Sequence, residues 1–148
     1  MNVLDLLHDD HETVNRLFSD ILSTSSADQS RRRQLFGALK EALIKHAHAE
    51  EKVFYPPLHE KRQAHDLIEE GIHEHHSMED LLHKAETVPM DSDDWLDRVQ
   101  SLKECVEHHV HEEESEVFPK ARQLMDGQEL DRLGDQIERA KAQEGPIH

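Results

Sequence analysis

His46-Ala47-His48-Ala49-Glu50-Glu51-Lys52-Val53-Phe54-Tyr55-Pro56 recurs without gaps, at one constant offset, as His109-Val110-His111-Glu112-Glu113-Glu114-Ser115-Glu116-Val117-Phe118-Pro119. Both stretches read H-x-H-x-E-E-x-x-Φ-aromatic-P, with Φ apolar. Residues four apart on a helix share a face, one turn above the other, so His46 pairs with Glu50 and His109 with Glu113. Leu39, Ala42, Leu43 and Val53 continue the stripe of the first pair, and Leu102, Cys105, Val106 and Val117 that of the second. The polar pairs therefore interrupt faces that are otherwise apolar and directed at a core.

The stretches that precede them also align. Asp10-His11-x-x-Val14-x-x-Leu17-Phe18 matches Glu74-His75-x-x-Met78-x-x-Leu81-Leu82. The chain reads as two copies of a helical hairpin, each with a His on its first helix and a His-x-x-x-Glu on its second. A repeat of this kind builds a shared site on its pseudo-twofold axis.

Working outward, Leu4 to Leu22 carries a helical apolar stripe, and Ser23 to Asp28 is a polar loop. The next helix is expected to start with Ser30 as N-cap and to end or kink at Pro56-Pro57. A third, with Ala64, Leu67, Ile68, Ile72, Met78 and Leu82 inside, stops before Pro89. The loop Pro89 to Asp93 offers N-caps to a fourth, which runs to Pro119. No strand alternation is visible. The expected fold is all-α, an antiparallel up-down-up-down four-helix bundle over about 2–120. A short helix and tail, 121–148, follow within the same single domain, residues 1–148. With few apolar anchors, that helix (about Gln128 to Ala142) is expected to pack outside the bundle or fray near Gly145-Pro146.

The bulk numbers exclude several partners. A formal net charge of −16 over 148 residues opposes nucleic acid and anionic membrane surfaces, which need cationic patches. Arg31-Arg32-Arg33 is an isolated basic run at a helix start. No apolar run is long enough for a membrane span, and the N-terminus has no secretory pattern. The lone Cys105 suits a reducing, cytoplasmic setting and fills core volume as a small apolar residue.

Among 14 histidines, position decides. His11 and His75 continue the inner stripes Leu4-Leu7-Val14-Leu17 and Ile68-Ile72-Met78-Leu82. Buried carboxylates are costly unless paired or bound to a metal, and two of them among four imidazoles call for a cation. The candidate metal ligands are His11, His46, Glu50, His75, His109 and Glu113. His48, His76, His108 and His111 fall off the inward axis, while His73 points away. His8, His59, His65, His83 and His148 read as solvated. Glu51 and Glu114 read as exposed, with hydrogen bonding to a ligand His as the alternative. Tyr55 and Phe118 read as packing near the helix ends, Tyr55 also as a hydrogen-bonding or redox-active neighbour.

These motifs together, from about Leu4 to Lys120, resemble the hemerythrin-like, or HHE cation-binding, family. The resemblance implies a non-haem centre of two iron ions with an oxo or hydroxo bridge. It also implies that His11, His46, His75 and His109 are terminal ligands and that Glu50 and Glu113 bridge. Oxygen-carrying hemerythrins pair the third-helix histidine with another His four residues away; here Gly71 and Glu79 flank His75 at that spacing. They also use an Asp five residues after the last His, where this chain has Glu113 four after and Glu114 five after. Glu79, another acidic group or water is left to complete the site, and simple oxygen carriage is disfavoured.

The expected function is binding or sensing of oxygen, nitric oxide or iron at this centre. The alternative is a di-iron enzyme that decomposes peroxide or handles nitric oxide. Donor type alone also admits zinc or manganese in a structural or storage role. The expected partner is a small diatomic ligand or peroxide.

Overall fold

Short polar side chains start the long helices by accepting hydrogen bonds from otherwise unpaired N–H groups of the first turn. Asn2 accepts from Leu4 N at 2.7 Å, Ser92 from Trp95 N at 3.2 Å and Asp126 from Glu129 N at 2.8 Å. Asp28, not Ser30, caps the second helix, through Arg31 N at 3.3 Å. Ser30 lies inside the first turn, where its backbone is already helical.

The computed structural model describes residues 1–147; His148, expected to be solvated, lies outside them. Its elements are α1 (Val3–Leu22), α2 (Gln29–Ala49), α3 (Tyr55–His59), α4 (His65–Glu86), α5 (Asp93–Glu112), α6 (Phe118–Leu124) and α7 (Gly127–Gln143). No strand occurs among the described residues. Helices α1 and α2 pair, as do α4 and α5, while α1 also meets α5 and α2 meets α4. This closes the expected antiparallel four-helix bundle.

The prolines do not stop the helices. Pro56 cannot donate to Lys52, nor Pro119 to Ser115, and in α geometry each ring would strike that carbonyl. The chain answers with π-helical turns, Glu50–Phe54 between α2 and α3, and Glu113–Val117 between α5 and α6. Tyr55 N donates to Glu50 O and Phe118 N to Glu113 O, five residues apart. The helix widens by one residue and runs on past the ring.

Two apolar clusters fill the interior. One holds Leu4, Leu7, Phe54, Tyr55, Leu58, Ile68 and Phe118. The other holds Val14, Phe18, Leu39, Leu43, Leu82, Trp95, Leu102 and Val106. Each fully buried large side chain contributes roughly 1.5–3 kcal/mol. On α1, α2, α4 and α5 the chain passes from one cluster to the other at His11, His46, His75 and His109. The polar residues thus lie between two dry plugs.

Arg32, from the basic run, is buried at the far end of the bundle. It donates to Thr24 Oγ1 at 2.8 Å, Thr24 O at 3.2 Å and Met90 O, and its guanidinium stacks 5.2 Å over Trp95. One side chain thereby ties both inter-helix loops at that end.

The C-terminal helix packs outside the four-helix bundle, against α1, α2 and the Glu50–Phe54 turn, and buries an apolar stripe there. Leu130, Leu133 and Ile137 of α7 are buried in the first cluster. Gly134 lies against the N-terminus so closely that a Cβ there would stand 1.9 Å from Met1 O. Its apolar residues are few but share one stripe, which suffices against the joint surface of α1, α2 and the Glu50–Phe54 turn.

Candidate metal centre

The six candidate side chains all project into the gap between the apolar clusters. Glu50, His75 and Glu113 are at most 1% exposed, and His11, His46 and His109 are buried as well. They fall into two groups, His11/His46/Glu113 and His75/His109/Glu50, with donor atoms in each group within 4.8 Å of one another. Glu113 Oε1 is 3.1 Å from His11 Nε2 and 3.9 Å from His46 Nε2. Glu50 Oε1 is 3.0 Å from His75 Nε2 and 3.9 Å from His109 Nε2.

Each glutamate also reaches the other group. Glu50 Oε1 is 3.2 Å from His46 Nε2, and Glu113 Oε2 is 3.5 Å from His109 Nε2. Each carboxylate therefore lies within reach of imidazoles of both groups. Donors that share an ion at about 2.0–2.2 Å lie roughly 3–3.5 Å apart, close to these spacings.

Every one of the four imidazoles has its outer nitrogen committed. His46 Nδ1 donates to Asp10 at 2.8 Å, His75 Nδ1 to Glu51 at 2.8 Å, His109 Nδ1 to Glu74 at 2.5 Å and His11 Nδ1 to Glu114 at 2.6 Å. With Nδ1 donating, each ring turns Nε2 inward. The pattern respects the repeat: Asp10–His46 and Glu74–His109 lie within a hairpin, Glu51–His75 and Glu114–His11 between hairpins.

Glu51 and Glu114 are thus hydrogen-bond acceptors for core histidines rather than plain surface groups. Asp10 and Glu74 were overlooked, although each immediately precedes an aligned His. An outer helical position gives no apolar-stripe signal, so only the duplicated acid-His step pointed to them. Asp10 also accepts from Lys141 Nζ of α7.

The inward atoms test the fit of a cation. Nε2 of His46 and His109 and Oε2 of Glu50 are buried without a hydrogen-bond partner among the described residues. A bare Nε2 lone pair facing a carboxylate requires a proton or a metal ion between them. Burial disfavours the charged forms of His46 and Glu50. The attraction between the two prevails, holding His46 well above and Glu50 well below their ordinary ranges. Burial likewise opposes charge on His109, yet Glu50, Glu74 and Glu113 raise its pKa to about 10. A donor set of imidazoles and carboxylates fits iron, manganese or zinc.

Tyr55 joins the centre as a hydrogen-bonding neighbour. Its ring stacks on His75 at 5.4 Å, and its hydroxyl donates to Glu113 Oε2 at 2.7 Å, 3.4 Å from Glu50 Oε1. Burial and the two carboxylates raise its pKa well above the usual phenol value. Phe118, its counterpart, stacks on His11 at 6.0 Å with no hydroxyl to offer. The hydroxyl lies over Gly71, where a Cβ would come within 2.8 Å of it.

Glu79 is directed elsewhere, 3.9 Å from His48 and 38% exposed. His8, His48, His73, His76, His83, His108 and His111 are exposed, and His59 and His65 are half-buried.

A family model described as the hemerythrin HHE cation binding domain matches residues 2–121. This chain belongs to that family. The hemerythrin-like chain resembles a solved structure, a hemerythrin HHE cation-binding-domain protein from Mycobacterium kansasii. The TM-score is 0.87 at 26% identity, over 97% of this chain and 86% of that one. It is 30% identical to a DNA nickase of Nostoc sp. (strain PCC 7120) over 96% of its own length, and spans only 40% of that relative. An uncharacterised hemerythrin-like protein of Schizosaccharomyces pombe is 23% identical over 94% of this chain and 68% of that protein. A metal-binding helical bundle with His/Glu clusters follows from the family and the geometry together. Among the described residues, no helix is long and apolar enough to cross a membrane.

Proposed function

We propose that this chain is a non-haem di-iron protein that binds or senses a small ligand, oxygen or nitric oxide, or iron itself, in the cytoplasm. His11, His46, His75 and His109 hold two ions, with Glu50 and Glu113 shared between them. The observation that carries this reading is the reach of each buried carboxylate into both imidazole groups. Iron supplies the redox-active, exchangeable position at which such ligands react.

The protein's own residues do the rest. Asp10, Glu51, Glu74 and Glu114 fix the imidazoles with Nε2 inward, and the two apolar clusters keep bulk water from the ions. A cleft of about 430 Å³ between α1 and α5 reaches His11 along Val14, Phe18, Val106 and Val110. Asn15, Glu107, His111, Glu114 and Ser115 complete the lining, so a small molecule entering there meets both apolar and polar groups.

One observation favours the enzyme alternative, decomposition of peroxide or handling of nitric oxide. The Tyr55 hydroxyl keeps a proton 2.7 Å from Glu113, inside a site with little other solvent contact. Nucleic acid is not a proposed partner: a net charge of −16 repels it, and the matched stretch is a minor part of the Nostoc relative.

Metal analysis with an optical spectrum of the aerobically purified chain tests the reading. About two irons per chain with near-ultraviolet iron–ligand bands are expected; zinc without colour rejects it. Oxygen release on adding peroxide then favours the enzyme over the binder.

A further inference from the structure

His59 closes α3 and His65 opens α4, on either side of the turn 60–64 that joins the two hairpins. Their rings lie 4.2 Å apart between centroids. Glu69, one helical turn beyond His65, sends Oε1 to 2.7 Å from His59 Nε2 and 3.6 Å from His65 Nε2. Donor atoms of all three lie within 4.8 Å of one another.

The geometry is held from behind. His65 Nδ1 donates to the backbone carbonyl of His59 at 2.9 Å. That bond fixes the tautomer, so Nε2 presents a lone pair on the side of Glu69, the arrangement of a metal-binding histidine. Each imidazole also neighbours an anchored residue, since Leu58 and Ala64 are buried in the first cluster. The backbone that carries the pair is therefore rigid although the rings are half-buried.

We propose that His59, His65 and Glu69 form a second cation site, distinct from the buried centre, for a borderline divalent ion of the zinc class. Two imidazoles and one carboxylate suit zinc, which takes nitrogen and oxygen donors at about 2.0–2.2 Å and tolerates water in a fourth place. The ion takes the place of the His59–Glu69 hydrogen bond and pulls His65 Nε2 in by a small rotation. It staples the end of α3 to the first turn of α4 and so fixes the junction between the repeats. The site shares no residue with the six core candidates and does not depend on what fills them.

The test adds zinc chloride to the full chain as purified, with metal content measured before and after desalting. Wild type is expected to retain one further zinc per chain and to melt at higher temperature with it. The double variant His59→Ala/His65→Ala and the single variant Glu69→Gln are expected to lose both effects while keeping the original metal content and helical signal. The proposal is overturned if wild type retains no added zinc. It is also overturned if zinc enters only as another metal leaves, or if the double variant retains as much as wild type.

Discussion

Tyr55 of the first hairpin donates its hydroxyl hydrogen bond to Glu113 of the second, across 2.7 Å. The pseudo-twofold breaks here, since Phe118 stands in the matching place with a bare ring. Tyr55→Phe removes one hydrogen bond from a shared carboxylate and leaves packing intact. Stability is expected to fall by ~1 kcal/mol, with metal content unchanged but the optical spectrum and any peroxide turnover altered. An unaltered spectrum and rate would remove Tyr55 from the centre's chemistry. Gly71→Ala, which crowds the hydroxyl without touching Glu113, is expected to mimic the change.

The outer carboxylates set imidazole direction and basicity. Asp10→Asn and Glu51→Gln are expected to weaken metal affinity by about 10–100-fold each, measured by competition with a chelator. Exposed Asp93→Asn on α5 serves as control. Equal affinities in all of these would mean that the Nδ1 contacts are incidental.

Protons and metal compete for Nε2. Without metal, the raised pKa values of His46, His75 and His109 stabilise the fold below the ordinary imidazole range. That contribution is lost as pH rises from about 6.5 through the His109 value of about 10. Metal binding requires the deprotonated nitrogen and releases protons, so it strengthens over the same interval. The gap in melting temperature between metal-loaded and chelator-treated protein is expected to widen between about pH 6 and pH 9. A gap that narrows would contradict the assignment of Nε2 as the donor atoms.

Gly134→Ala forces α7 away from Met1 and is expected to destabilise the chain by ~2 kcal/mol or more. Because Lys141 rides on the same helix and bonds to Asp10, metal affinity should drop as well. Denaturant melts and chelator competition check the two effects separately. A loss of stability with affinity intact would show that α7 supports the bundle alone.

Much of this was legible in the sequence, and the gaps have physical causes. The stripes on α1, α2, α4 and α5 have a period of 3.6, so the bundle and the inward set His11, His46, Glu50, His75, His109 and Glu113 could be read directly. Tyr55 was underrated because it is five residues from Glu50, off-face in an α-helix but brought round by a π turn. Pro56 and Pro119 pointed to helix ends because an isolated helix has no cheaper answer to the ring. Within the bundle, packing on both sides keeps the helix going. Asp10 and Glu74 sit on outer positions where an acidic residue is unremarkable until its partner's location is known. The burial of the α7 stripe depends on the surface that α1, α2 and the Glu50–Phe54 turn offer it, which no local pattern of α7 reveals.

The two π turns carry a consequence for the folding landscape. Each is a place where local preference and tertiary structure disagree, and each begins on a glutamate of the buried centre. The disagreement is therefore frustration stored twice, at symmetric points, beside groups that a cation would hold. Removing one residue from either turn would return Pro56 or Pro119 to the α register, where its ring meets the carbonyl of the preceding turn. The same deletion would rotate everything beyond by about 100° and turn the aromatic residue off the centre. The most regular version of this helix is thus the version that could not build the site.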